Sequence, residues 1–76
     1  MIKFIIEYFD YRNGKKYTFK IWANNEYDAW NMCLYKNDYD GYELGRGEYA
    51  SKNLLITNIE EIGYMYEDGT VDIINN

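Results

Sequence analysis

No histidine occurs anywhere in this sequence, and its absence removes a large part of enzyme chemistry. Without imidazole there is no Ser-His-Asp or Cys-His nucleophile apparatus and no zinc site built from Cys and His. Ser51 is the only serine and Cys33 the only cysteine, so no internal disulfide framework is available. A lone cysteine suits a reducing cytosol, and the expected compartment is the cytoplasm. No apolar run approaches the roughly 20 residues that a membrane helix needs. The opening "MIKFIIEYFD" gains Glu7 and Asp10 at once and lacks a small-residue cleavage site, which fits a strand better than a signal peptide. Proline is also missing, and alanine is nearly so. Asn, Ile, Lys and Tyr together make up 34 of the 76 residues, a bias expected of A/T-rich coding and a plain source for part of the tyrosine excess.

The length predicts one domain over residues 1–76, of a size at which every buried side chain counts. Charge is split along it. Residues 1–24 hold five basic and two acidic groups, whereas residues 25–76 hold three basic and eleven acidic ones. Such a chain is a poor ligand for phosphates, whose capture needs clustered Lys and Arg, so direct nucleic-acid binding is not expected. Its natural complement is a basic protein surface.

Two apolar runs, "IKFIIEYFDY" and "KKYTFKIWA", flank Asn13-Gly14 and predict a β-hairpin. With those two residues at the turn centre, Ile6 faces Ile21, Tyr8 faces Phe19 and Phe4 faces Ala23 on one side. Glu7 then faces Lys20, Ile5 faces Trp22 and Phe9 faces Thr18 on the other. A helix of about three turns follows, capped by Asn25, with Glu26 and Asp28 in its first turn. Ala29, Trp30, Cys33 and Leu34 form its apolar stripe, and Cys33 is expected to be a packed thiol. Strand composition returns near Leu54–Ile59. Gly63 marks a bulge or a break, and after a bend a hairpin about Asp68-Gly69 is expected from about Ile62 to Ile74, with Tyr66 facing Val71, Tyr64 facing Ile73 and Met65 facing Asp72.

The expected fold is α+β: a single antiparallel sheet in ββαββ order with one helix on one face. The side bearing Phe4, Ile6, Tyr8, Phe19 and Ile21 should meet Trp30 and Leu34. Ile5, Phe9, Tyr11 and Trp22 would lie on the uncovered side. There Ile5, Phe9 and Trp22 make an oligomer face, unless the sheet curls or the 38–50 segment folds over them.

That segment contains "YKNDYDGYELGRGEY", with four tyrosines, four carboxylates and three glycines in Tyr35–Tyr49. It lacks the ending of a phosphate loop. Its "DYDGYE" departs from the calcium-loop pattern, whose glycine and closing glutamate fall elsewhere, so neither a metal nor a cofactor is assigned. A glycosidase-like carboxylate pair would need a deeper cleft than so small a domain offers, and no catalytic residue is assigned. Read as a glycine-hinged contact loop, the segment presents movable negative charge and rigid, water-tolerant aromatic area. The alternative is a solvated connection packed on the sheet edge. The contact reading assigns partner binding to Asp38, Tyr39, Asp40, Tyr42, Glu43, Glu48 and Tyr49, extended by Glu67 and Asp68.

In its size, its acid excess after Asn25, its "NDYDGYE" segment and its lack of catalytic residues, the chain resembles the small acidic proteins with which phages and mobile elements block host defences, anti-CRISPR proteins among them. The resemblance implies a stoichiometric inhibitor occupying the basic nucleic-acid-binding site of a nuclease or effector complex. Two other readings stay open: a homo-oligomer, such as a homodimer, enclosing a small ligand through the uncovered face, and an accessory regulatory protein of a mobile element.

Overall fold

The computed structural model describes residues 1–38, 42–45 and 47–73. Its elements in chain order are β1 (Ile2–Asp10), β2 (Lys15–Ala23), α1 (Glu26–Asn37), β3 (Tyr42–Gly45), β4 (Glu48–Ala50), β5 (Leu54–Met65) and β6 (Val71–Ile73). The architecture is α+β. Strands β2, β1, β5 and β6 lie side by side in that order in an antiparallel sheet, and β3 with β4 forms a second, two-stranded sheet. The expected ββαββ order therefore holds for the main sheet, with an extra hairpin inserted after the helix. No described helix is long and apolar enough to cross a membrane.

The first hairpin forms, but its register differs by two residues from the one expected. Phe4 faces Ile21, Ile6 faces Phe19 and Tyr8 faces Tyr17. On the other side Lys3 faces Trp22, Ile5 faces Lys20, Glu7 faces Thr18 and Phe9 faces Lys16. The turn begins earlier because Asp10 organises it. Its carboxylate accepts the Arg12 backbone N–H at 2.9 Å, and its carbonyl accepts the Gly14 N–H at 2.8 Å. Gly14 closes the loop at φ 70°, in the left-handed region open to glycine. A two-residue slip preserves both faces, since side chains alternate with period two.

One face of the sheet carries the core. Phe4, Ile6 and Tyr8 of β1, Ala23 of β2, and Leu54 and Ile56 of β5 pack with Ala29, Cys33 and Leu34 of α1. The Asn25 side chain caps the helix, accepting the Asp28 N–H at 2.8 Å. Its buried stripe differs from the expected one at a single position. Trp30 is 40% exposed and Asn31 is buried instead. Asn31 is tolerated inside because both ends of its amide are used, Nδ2 donating to the Tyr27 carbonyl at 2.9 Å and Oδ1 accepting the Tyr49 N–H at 2.9 Å.

Strand β5 runs unbroken where a bend was expected. Its eleven residues from Leu54 to Tyr64 oppose nine of β1, and the pairing skips Thr57 and Ile62, so two bulges absorb the excess length. Gly63 adjoins the bulge at Ile62, in line with the bulge reading rather than the break, and is buried between β1 and β6. The β5–β6 turn is also one residue longer than expected. Gly69 at φ 88° and a Tyr66 N–H bond to the Thr70 carbonyl at 2.8 Å close it, so Tyr64 faces Asp72 and Met65 faces Val71.

Residues 42–45 and 48–50 pair as the β3–β4 hairpin; β4 packs on α1, and Tyr49 packs against the core. The helix covers one face of the sheet, and the other carries Ile5, Phe9 and Trp22, each half-buried, with the Lys3 ammonium 5.6 Å from the Trp22 ring centroid.

Candidate partner-binding surface

Asp38, the first residue expected to meet a partner, does the opposite work. Its side chain is fully buried. It accepts hydrogen bonds from the Asn53 Nδ2 at 3.1 Å and from the Ser51 hydroxyl, and it lies 3.3 Å from Arg12 Nη1. Arg12 also grips Asp10, through Nε and Nη2 at 2.9 Å each. One guanidinium thus ties the first turn to the end of α1 and the start of β5. Asp38 is part of the framework, and the assignment of partner contact to it is corrected. Arg12 holds the Asp10 carboxyl below the ordinary carboxylate range, chiefly by that hydrogen bond.

Tyr39 and Asp40 lie outside the described residues, as do the central residues of "DYDGYE". Tyr42 pairs with Ala50 across the small hairpin. Glu43 and Tyr49 are opposite one another in the same hairpin, and Glu48 lies one residue before Tyr49. These three residues are brought together. Asn31 fixes the hairpin against the helix through its bond to the Tyr49 N–H, and the Tyr35 and Tyr49 rings meet at 4.8 Å between centroids.

The junction between α1 and β4 opens into a cleft of about 360 Å³ lined by Glu26, Tyr27, Trp30, Asn31, Glu48 and Tyr49. Tyr27 is 56% exposed, and Glu48 lies close enough to act on its hydroxyl. Burial of that hydroxyl and the neighbouring Glu48 charge push its pKa up. Tyr49 is shifted the same way by burial, Glu43 and Tyr35. Both phenols therefore stay neutral at pH 7, and the negative charge resides on the carboxylates. Beyond Tyr49 lies a second cleft of about 300 Å³, bordered by Met1, Ile21, Trp22, Asp28 and Met32.

Glu67 and Asp68 sit apart, in the turn between β5 and β6. Asp68 accepts the Thr70 N–H at 2.9 Å, which lowers its pKa, and Glu67 is exposed. Nearby, the Tyr64 and Tyr66 rings meet edge to face at 4.9 Å, and the Tyr66 hydroxyl donates to Asp72 at 2.7 Å. A second acidic, tyrosine-bearing patch results.

Arg12 makes both of the ion pairs among the described residues, with Asp10 and Asp38. The amino-terminal lysines neutralise none of the described acids. Glu26, Glu43, Glu48, Glu67 and Asp72 are exposed, and among the described residues none has an ion-pair partner. Among those residues, no group of three His, Cys, Asp or Glu side chains converges as a metal site. Cys33 is wholly buried, and burial pushes its thiol up to about 11.

Sequence reasoning missed Glu26, Tyr27, Trp30 and Tyr35 as surface contributors. The signal was present in the helical spacing, since Tyr27 and Trp30 lie three residues apart and share a face with Asn31. No family model matches the chain, and neither the curated proteins nor the solved structures contain a match.

Proposed function

We propose that this chain is a non-enzymatic binding protein that uses its acidic, aromatic surface to occupy a basic site on a protein partner. The observation that carries the reading is the α1–β4 junction, where Glu26 and Glu48, with Glu43 opposite Tyr49, have no ion-pair partner among the described residues and stand near the Tyr27, Trp30, Tyr35 and Tyr49 rings. Charge of one sign steers encounter with an oppositely charged partner, and aromatic anchors slow release. The resulting partner is one whose own ligand is anionic, a host nuclease or effector complex that holds nucleic acid. The role would be that of a phage or mobile-element inhibitor of the anti-CRISPR type.

The test is competition on a purified nucleic-acid-binding effector retained by the protein. Binding should weaken steeply as salt rises from 50 to about 300 mM, because exposed charges are screened over a Debye length of ~10 Å at 0.1 M. Glu26→Lys combined with Glu48→Lys should weaken it at least tenfold, and nucleic acid should displace it. Salt-independent binding, with the double reversal silent, would sink the reading.

A further inference from the structure

We propose that the α1–β4 cleft is a seat for a single arginine side chain of the partner. The inference rests on the binding reading above and names the group that this site takes. Three rings line the cleft, Tyr27 and Trp30 from the helix and Tyr49 from β4, and each wall adds one carboxylate, Glu26 and Glu48. An aromatic face attracts a cation through its quadrupole, most strongly for tryptophan. Carboxylates on both walls ask for a ligand that can donate in two directions at once.

Guanidinium meets both demands. It is planar, stacks on ring faces, and offers five donors in a fixed fork, whereas an ammonium is a compact and strongly hydrated point charge. A cleft of about 360 Å³ admits that side chain with space to spare. The walls are held before any ligand arrives. The Asn31 amide bonds the Tyr27 carbonyl on one side and the Tyr49 N–H on the other, which fixes the helix against β4. The backbone on both sides is thus set beforehand, which lowers the ordering cost of binding a small group. None of the described basic residues pairs with Glu26 or Glu48.

The test uses the full chain and three peptides of about nine residues, alternating Gly with Arg, Lys or citrulline, followed by amide and indole NMR. Citrulline keeps the shape of arginine without the charge. The arginine peptide should move the Trp30 indole N–H and the Tyr49 amide while leaving Trp22 nearly still. The lysine peptide should bind several-fold more weakly, and the citrulline peptide at least tenfold more weakly. Trp30→Ala and Glu48→Gln should each weaken arginine binding about tenfold with the remaining spectrum unchanged, whereas Glu67→Gln should not. Tyr27→Phe keeps the ring and gives a milder check if Trp30→Ala perturbs the fold. Equal binding of the citrulline peptide overturns the proposal, as does lysine matching arginine. Arginine shifts confined to the β5–β6 turn, or no binding up to about 10 mM, would remove this seat while salt-sensitive docking on the effector still stood. Loss of the salt dependence would remove the broader reading instead.

Discussion

Arg12 and Asp38 are 26 residues apart in the chain and 3.3 Å apart in the fold, and the carboxylate of that pair is wholly buried. Because Arg12 also holds Asp10, it joins the first turn, the end of the helix and the approach to β5. Replacing Asp38 with Ala removes an acceptor from the Asn53 amide, the Ser51 hydroxyl and Arg12 Nη1. Arg12 keeps 36% of its side-chain exposure, so water repays part of its loss. The expected cost is about 2 to 3 kcal/mol, read as a lower denaturant midpoint with unchanged slope. A midpoint equal to that of the parent would show the network to be idle.

Acid should act through Asp10. Its folded-state pKa lies below the ordinary 3.8 because Arg12 bonds the charged form. A depressed carboxylate stabilises the fold fully above the ordinary value, and that contribution is lost as pH falls through the lower, folded-state value. Asp10→Asn should therefore flatten the stability profile below about pH 5 and leave its alkaline side unchanged. An identical acid limb in the two proteins would refute this.

Cys33 should be inert. With its thiol near 11 and its surface fully covered, about one molecule in a thousand carries the thiolate at pH 8. A disulfide reagent should label it only after denaturant is added. Stoichiometric labelling within minutes in native buffer would contradict the packing of α1 on the sheet.

Gly63 should resist enlargement. A Cβ there would lie 3.1 Å from the Asp72 carbonyl oxygen and 3.3 Å from Ile73 Cδ1, so β6 would have to give way. Gly63→Ala should cost about 1 kcal/mol net of the chain-entropy gain, with faster amide exchange at Asp72 and Ile73 as the local sign. Exchange rates unchanged at β6 would place the strain elsewhere.

Much of the fold could be read from local pattern. The alternation in "IKFIIEYFD" identified the core-facing residues Phe4, Ile6 and Tyr8 even though the turn was misplaced, because a two-residue slip leaves the faces intact. Asn25 capped as its residue type requires. Reading failed where partners are remote. The exchange of Trp30 for Asn31 in the buried stripe depends on Tyr49, 18 residues from Asn31. Two bulges in β5 depend on the length of β1, so the long run looked like a strand, a bend and another strand. In the site, Glu43, Glu48 and Tyr49 were anticipated by composition, whereas Glu26, Tyr27 and Trp30 belong to it only because the hairpin lands on that side of the helix.

What this sequence determined by itself is what short-range physics governs: which segments extend, which one coils, where the helix starts, and which face of the first hairpin sheds water. Side-chain period and capping chemistry act over a few residues and need no distant partner. The tertiary structure alone decided the fate of individual charges. Asp38 and Glu48 are both carboxylates in one acidic segment, yet the first is drawn inside by Arg12, Ser51 and Asn53, and the second is left at the rim of an aromatic cleft. A carboxylate enters the interior only where opposite charge and donors are already assembled to replace water, and that assembly comes from parts of the chain far from it in sequence.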